Sequence, residues 1–131
     1  MMEEKDKWPQ KRILAVDDAA IILSRITDLL GKDYEVVTVN SGMRALRYLE
    51  KEKPDLILLD IRMVPKDGIE TLRDIRAMKN RADIPVIMLT GMEDKNFVLE
   101  SAQLGIRDYV LKPFVDDDLI SRIHRVLRPD A

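Results

Sequence analysis

The sequence predicts an α/β domain built on an open, five-stranded parallel sheet with helices on both faces. Short apolar runs alternate with amphipathic stretches five times along the chain, which is typical of repeated βα units. The apolar runs are continuous, as expected of strands that helices cover on both sides. The length of 131 residues fits a single domain, and right-handed crossovers would distribute the helices over both faces.

The first half of the chain contains two of these units. The first strand is predicted over residues 12–16 and ends in two acids, and the helix that follows has apolar residues at helical spacing up to Leu30. Gly31 provides a stop signal for that helix. The second strand is predicted over residues 34–39, and a helix over residues 41–51 begins at Ser41, a favoured N-cap residue.

Three further units follow. Residues 55–59 form the most apolar run of the chain and predict a central strand that ends at Asp60. Beyond a loop over residues 61–68, the third helix is marked by Ile69, Leu72, Ile75 and Met78. The fourth strand covers residues 86–89 and ends at Thr90, and its helix has Phe97, Val98, Ala102 and Leu104 on one face. The fifth strand, 107–111, ends at Lys112, and the last helix covers residues 115–127.

Charge and composition along the chain indicate the bounds of the domain and exclude several classes of function. Residues 1–10 are charged and predict a flexible lead-in, residues 11–128 form the single domain, and residues 129–131 form a tail or the start of a linker. The absence of cysteine excludes thiol chemistry and cysteine-based zinc sites. A net charge of −2 gives no basic excess for nucleic acid, and no apolar run approaches the ~18 residues of a membrane span. We therefore expect a cytoplasmic domain that binds neither nucleic acid nor membrane.

Polar residues close four of the five predicted strands. Asp17 and Asp18 follow the first strand, Asp60 the third, Thr90 the fourth and Lys112 the fifth. Because all carboxyl ends of a parallel sheet lie along one edge, where ligands bind, we expect these five residues to lie close together.

The expected grouping of three carboxylates needs positive charge. Crowded carboxylates repel one another and raise at least one pKa unless cations intervene. Lys112 supplies one positive charge, and a divalent cation held by oxygen ligands would supply two more. Mg²⁺ is the natural candidate, because a chain with no cysteine and one histidine lacks ligands for zinc or copper. An oxygen-only Mg²⁺ site beside a lysine and a hydroxyl suits phosphoryl transfer, with a carboxylate as the nucleophile that forms an aspartyl phosphate.

These motifs, in this order, resemble the receiver domains of two-component response regulators over about residues 11–127. The matching segments are Val16-Asp17-Asp18, Leu59-Asp60 followed by Met63 and Asp67-Gly68, Leu89-Thr90, and the run Asp-Tyr-Val-Leu-Lys-Pro-Phe over residues 108–114. Thr90 lies 30 residues after Asp60, and Lys112 lies 22 after Thr90. The resemblance implies a flavodoxin-like (CheY-like) sheet with strand order 2-1-3-4-5 and five helices on two faces.

The resemblance also implies roles for individual residues. Asp60 corresponds to the phosphoacceptor, Asp18 to a direct Mg²⁺ ligand, and Asp17 to an acid that acts largely through water. The backbone carbonyl of Arg62 corresponds to the group that completes the metal shell, and Lys112 to the residue that contacts the phosphoryl oxygens. Such a domain is a signalling module and not an enzyme, since it catalyses only its own phosphotransfer and dephosphorylation.

A switch and a set of partners are implied in the same way. Thr90 corresponds to the hydroxyl that turns toward the phosphoryl group, and Tyr109 to the ring that swings inward, which reshapes the surface of helix 4, strand 5 and helix 5. The implied donor is a histidine kinase or phosphotransfer protein, and the implied target a downstream effector or attached output domain. Asp108 and Arg122 stand where some relatives pair across a phosphorylation-dependent homodimer, although Val98 replaces a lysine of that network.

Several residues depart from the family pattern. Val64 separates Met63 from Pro65, so the loop after Asp60 is expected to take a different turn. Beside Thr90 the family usually has alanine or another small residue, and Gly91 lacks that side chain. Arg62 and Met92 are bulky residues at the expected entrance of the site. We expect the side chains of Arg62 and Met92 to affect the lifetime of the aspartyl phosphate.

Alternative interpretations remain open at this point. Asp17 and Asp18 would also suit the start of a helix, and Pro113 would also serve to launch the last helix. At the level of function, an aspartate-nucleophile phosphohydrolase also uses Asp and Mg²⁺, but it needs a second Asp where this chain has Arg62. A non-phosphorylated interaction module of the same fold is a further alternative. An FMN binder is disfavoured because Asp17 and Asp18 would repel phosphate.

Overall fold

The computed structural model describes residues 10–91 and 94–129. Within these ranges five strands and five helices alternate strictly along the chain. The strands are β1 (Arg12–Val16), β2 (Glu35–Val39), β3 (Leu56–Asp60), β4 (Val86–Thr90) and β5 (Asp108–Leu111). The helices are α1 (Ala20–Leu30), α2 (Gly42–Lys51), α3 (Gly68–Ala77), α4 (Lys95–Gln103) and α5 (Asp116–Leu127). Most of the predicted lead-in over residues 1–10, most of the predicted tail, and Met92 lie outside the described residues.

The strands form one parallel sheet in the order β2-β1-β3-β4-β5, which confirms the predicted fold and strand order. The register pairs Val16 with Leu59 and Asp60 with Leu89. On the other side of β4, Thr90 pairs with Leu111. The carboxyl ends of β1, β3, β4 and β5 are therefore level with one another along one edge.

Two hydrophobic clusters cover the two faces of this sheet. In β3 the side chains alternate between the clusters: Leu56 and Leu58 pack with α1 and α5, whereas Ile57 and Leu59 pack with α2 and α3. All five residues of β3 are buried, and so are all five of β4. This double coverage explains why the strand sequences are continuously apolar.

The structure differs from the sequence prediction in the surroundings of Tyr34. This residue was predicted to begin the second strand, but β2 starts at Glu35 and the Tyr34 ring is fully buried. Its hydroxyl lies 2.7 Å from Nδ1 of His124 on α5. His124 is half-buried and is thus a partner of a core tyrosine.

Within the described ranges, no helix is both long and apolar enough to cross a membrane.

Gly68 allows the start of α3 to lie directly against the end of β3. Its amide donates a hydrogen bond to the carbonyl oxygen of Ile61 at 2.8 Å. A Cβ at this position would lie 2.1 Å from the backbone oxygen of Asp60 and 2.8 Å from Cα of Ile61. Because both obstacles are backbone atoms, a side chain cannot be accommodated by a change of rotamer.

We expect Gly68→Ala to lower the free energy of unfolding by about 1–3 kcal/mol, since the added methyl group must displace backbone. Urea denaturation of wild type and variant measures the difference. Gly105→Ala is the control: Gly105 has φ +76° with open space around it, so the loss there of about 1 kcal/mol comes from backbone strain alone and leaves the strand end undisturbed. Equal unfolding free energies for Gly68→Ala and wild type would contradict the close approach.

Candidate functional site

Three carboxylates meet at the carboxyl edge of the sheet. One oxygen from each of Asp17, Asp18 and Asp60 lies within 4.8 Å of the others. Asp17 is fully buried and Asp60 is 4% exposed, whereas Asp18 faces solvent. The first two acids follow β1 and the third ends the neighbouring strand β3, so the sheet topology itself produces the cluster.

Lys112 places its ammonium group between the two buried carboxylates. Its Nζ lies 2.6 Å from Oδ2 of Asp17 and 3.0 Å from Oδ1 of Asp60. The backbone amide of Lys112 donates to the carbonyl oxygen of Thr90 at 2.7 Å, which continues the pairing of β4 with β5. The peptide bond between Lys112 and Pro113 is cis.

Capping accounts for only one oxygen of this cluster. Oδ1 of Asp17 accepts a hydrogen bond from the amide of Ala19 at 2.9 Å, at the start of α1. Oδ2 is buried and accepts no aligned hydrogen bond from the described residues, although the Lys112 ammonium lies close to it. Carboxylate oxygens in this number and arrangement fit the ligand preference of Mg²⁺. The acids are therefore a candidate metal site, and helix capping alone does not explain them.

The crowding changes the pKa values of the site. Burial, followed by the charge of Asp17, raises the pKa of Asp60 to about 6, although Lys112 and the backbone of Arg62 oppose the rise. Burial lowers the pKa of Lys112, but its contacts with Asp17 and Asp60 outweigh burial and leave that pKa above the usual range. The sequence prediction that at least one carboxyl pKa would be raised agrees with this result.

Thr90 ends β4, the strand beside β3, and Tyr109 lies on β5. The Thr90 side chain is buried, and its hydroxyl donates to the carbonyl oxygen of Gly91 at 3.1 Å and lies 3.4 Å from Oδ2 of Asp94. Tyr109 on β5 is 45% exposed. The structure therefore has the hydroxyl bonded within the β4–α4 connection and the ring on the surface.

Asp94 is a residue of the site region that sequence reasoning missed. Its carboxylate is 1% exposed and accepts hydrogen bonds from the amide of Gly91 at 2.8 Å and from Nε of Arg62 at 2.5 Å. Burial raises the pKa of Asp94, but the hydrogen bonds from Gly91 and Arg62 outweigh it and lower that pKa overall. An acid just before a helix indicates an N-cap from sequence alone, so its inward contacts were not predictable.

The loop after Asp60 contains Val64 and Pro65, where the sequence departs from the family pattern. The peptide bond between Val64 and Pro65 is cis, and Val64 is 82% exposed. A pocket of about 280 Å³ opens beside this loop, lined by Asp18, Ile61, Arg62, Met63, Val64, Asp67 and Phe97. The guanidinium of Arg62 lies 5.7 Å from the centre of the Phe97 ring, and both residues line this pocket.

The residues singled out for a dimer interact within the chain. Arg122 donates from Nη1 to Oδ1 of Asp108 at 2.8 Å and from Nε to the carboxylate of Asp118 at 3.0 Å. The structure thus places Arg122 in an intrachain ion-pair network on the β5–α5 surface.

Comparisons with known proteins point to one family. The family model described as the response regulator receiver domain matches residues 13–124. The chemotaxis protein CheY of Bacillus subtilis is 36% identical over 118 residues, which cover 88% of this chain and 97% of that protein. The alkaline phosphatase synthesis transcriptional regulatory protein PhoP of the same organism is 36% identical over 119 residues, which cover 90% of this chain and 49% of PhoP.

Solved structures agree with the sequence comparisons. The receiver domain of a sensor histidine kinase from Pseudomonas aeruginosa, solved with a magnesium ion coordinated in its active-site cleft, superposes with a TM-score of 0.82. The two are 32% identical, and the match covers 91% of this chain and 98% of the other. The chain spans about half the length of several curated relatives that it matches, such as PhoP.

The raised pKa of Asp60 predicts a pH-dependent stability in metal-free protein. As the pH rises from the ordinary value of 3.8 to about 6, the unfolded chain loses the Asp60 proton first, so stability falls with rising pH. We expect Asp60→Asn to be more stable than wild type by about 1–3 kcal/mol at neutral pH, with a smaller difference near pH 4. Thermal unfolding in EDTA at both pH values measures this.

The matched control for this prediction is Asp83→Asn. The Asp83 side chain is 79% exposed, and the residue precedes β4 at the opposite edge of the sheet. We expect this variant to follow the wild-type pH profile. A profile of Asp60→Asn parallel to that of wild type would contradict the assignment of the raised pKa to Asp60.

Proposed function

The chain belongs to the response regulator receiver domain family, and we propose that it accepts a phosphoryl group on Asp60 in a Mg²⁺-dependent reaction. The observation that supports this most directly is the position of Lys112. Its ammonium contacts Asp60 and Asp17 together, at the sheet edge where three carboxylates lie within 4.8 Å. A nucleophilic carboxylate beside a fixed cation is the arrangement that phosphoryl transfer to an acid requires.

In the proposed step, an oxygen of the Asp60 carboxylate attacks the phosphorus of the donor. A phosphorus–oxygen bond to Asp60 forms, and the bond from phosphorus to the donor's leaving group breaks and leaves its electron pair on that group. Asp60 must be ionised to attack, and the ammonium of Lys112 opposes the rise in its pKa that burial causes. Lys112 also offers donors to the phosphoryl oxygens as negative charge gathers on them.

We assign the metal to Asp17, Asp18 and Asp60, with the backbone carbonyl of Arg62 as a further ligand. Mg²⁺ in this position supplies positive charge that neutralises the phosphoryl oxygens. The exposed position of Asp18 leaves room for water ligands, which Mg²⁺ usually retains. The magnesium ion in the cleft of the Pseudomonas receiver domain supports the same choice of metal here.

The proposed output is a change in the surface of α4, β5 and α5. Thr90 would turn its hydroxyl from Gly91 toward the phosphoryl group, and the exposed ring of Tyr109 would move into the space left behind it. Each new contact exists only in the phosphorylated state, so phosphorylation shifts the population between two arrangements of this surface.

The proposed partners follow from family membership. A histidine kinase or a histidine phosphotransfer protein supplies the phosphoryl group, and a downstream effector or an attached output domain reads the altered surface. The match covers 49% of PhoP and 97% of CheY, so both kinds of target belong to the proposal. We place the domain in the cytoplasm and assign it no catalytic activity beyond its own phosphotransfer and dephosphorylation. A phosphorylation-dependent homodimer remains part of the proposal.

We expect the wild-type protein, incubated with acetyl phosphate and Mg²⁺, to gain the mass of one phosphoryl group. Asp60→Asn should gain none, because the amide lacks the nucleophilic oxygen, and the control Asp83→Asn should react as wild type does. Intact-protein mass spectrometry measures all three. Phosphorylation of Asp60→Asn at the wild-type level would overturn the assignment of the acceptor, and steady release of phosphate from many esters would indicate a phosphohydrolase.

Asp18→Asn should separate metal binding from the contacts of Lys112. The described contacts of the ammonium involve Asp17 and Asp60 and not Asp18, so the variant loses a metal ligand while the buried ion pairs remain. We expect Mg²⁺ to raise the melting temperature of wild type and to have a much smaller effect on Asp18→Asn, with about a tenfold or greater loss of Mg²⁺ affinity. An unchanged Mg²⁺ titration of Asp18→Asn would show that this acid is not a ligand.

A further inference from the structure

The carboxylate of Asp94 points away from the helix that it precedes. Asp94 occupies the N-cap position of α4, but its side chain accepts no hydrogen bond from the first turn of that helix. Instead Oδ2 accepts from the amide of Gly91 at 2.8 Å and contacts the hydroxyl of Thr90 at 3.4 Å. A carboxylate that is 1% exposed and directed to the end of β4 is therefore not explained as a helix cap.

The second carboxylate oxygen of Asp94 accepts a hydrogen bond from the loop that follows β3. Oδ1 accepts from Nε of Arg62 at 2.5 Å, and Arg62 lies in the loop that directly follows Asp60. The Arg62 side chain is 58% exposed, and its guanidinium lies near the Phe97 ring. Asp94 thus joins the loop after the phosphoacceptor to the loop after Thr90, and Arg62 and Gly91 together fix its orientation.

This arrangement gives the Thr90 hydroxyl a fixed anionic acceptor that competes with Asp60. A hydroxyl has one proton to donate, and hydrogen bonds to charged acceptors are stronger than those to neutral ones. Thr90 therefore cannot donate to Asp94 and to a phosphoryl group on Asp60 at the same time. A phosphoryl group carries nearly two negative charges, so it can win this competition, but only against the contacts of the hydroxyl with Asp94 and with the carbonyl oxygen of Gly91.

We propose that Asp94 is a positioning residue that holds the Thr90 hydroxyl away from Asp60 before phosphorylation. It thereby sets how readily phosphorylation shifts the population to the switched arrangement of the α4, β5 and α5 surface. This inference rests on the proposed function, because it concerns the state that the aspartyl phosphate stabilises. Asp94 acts through Thr90 and touches neither Asp60 nor Lys112 in the described contacts. Its removal should therefore favour the switched state and not impair it.

Beryllofluoride with Mg²⁺ tests this inference, since it mimics a phosphoryl group on an aspartate without a covalent reaction. We expect Asp94→Ala to tighten beryllofluoride binding about fivefold, at the low end of typical coupling between sites. In the Thr90→Val background the same change should have little effect, because the hydroxyl that Asp94 restrains is absent. Isothermal titration of the four proteins gives the double-mutant cycle.

Glu100→Ala is the matched control. Glu100 also lies on the α4 segment and also pairs with an arginine, Arg73, but it makes no described contact with Thr90. We expect its beryllofluoride affinity to equal that of wild type. Asp94→Asn keeps the size and one neutral acceptor but loses the charge that binds Arg62, so it should have an intermediate affinity. This variant carries the test if Asp94→Ala does not fold.

The outcomes separate the two proposals. If wild type does not bind beryllofluoride, the phosphoacceptor function fails. If wild type binds and the Asp94 variants bind equally well or more weakly, the restraint is overturned. The restraint is also overturned if Asp94→Ala tightens beryllofluoride binding equally in the wild-type and Thr90→Val backgrounds. An effect on loop packing alone would be independent of the hydroxyl and would give that result.

Discussion

The contact of the Lys112 ammonium with Asp17 and Asp60 is the interaction on which the rest of the site depends. Two carboxylates buried beside each other would not both stay ionised without a cation, because burial and mutual repulsion both favour protonation. The ammonium offsets part of that cost and leaves Asp60 with a pKa that is raised but still below neutrality. The domain thus keeps a destabilising charge where its chemistry needs one.

The order of the strands makes this contact possible. Asp60 ends the central strand β3, with β1 and its acids on one side and β4 with Thr90 on the other. Lys112 follows β5, which lies two strands from β3, or about 10 Å at the usual strand spacing. A lysine has the length to reach across that gap, whereas the threonine on the adjacent strand needs only a short side chain.

The same edge of the sheet carries the parts that would respond to phosphorylation. Arg62, in the loop after β3, donates to the buried carboxylate of Asp94, and the hydroxyl of Thr90 at the end of β4 lies 3.4 Å from the same carboxylate. The loops around the acceptor are therefore connected before any phosphoryl group is present. A new charge on Asp60 has to act on this existing network, so the response depends on contacts broken as well as on contacts formed.

The sequence by itself determined the five βα units, the burial of β3 and β4 on both faces, and the grouping of Asp17, Asp60 and Lys112, because strand periodicity and parallel topology are local or general properties. The tertiary structure alone decided the role of Asp94, the pairing of Tyr34 with His124, and the intrachain partners of Arg122. Each of these depends on which way a side chain turns when several partners are available. That choice is set by packing between segments distant in the chain, which neither composition nor spacing records.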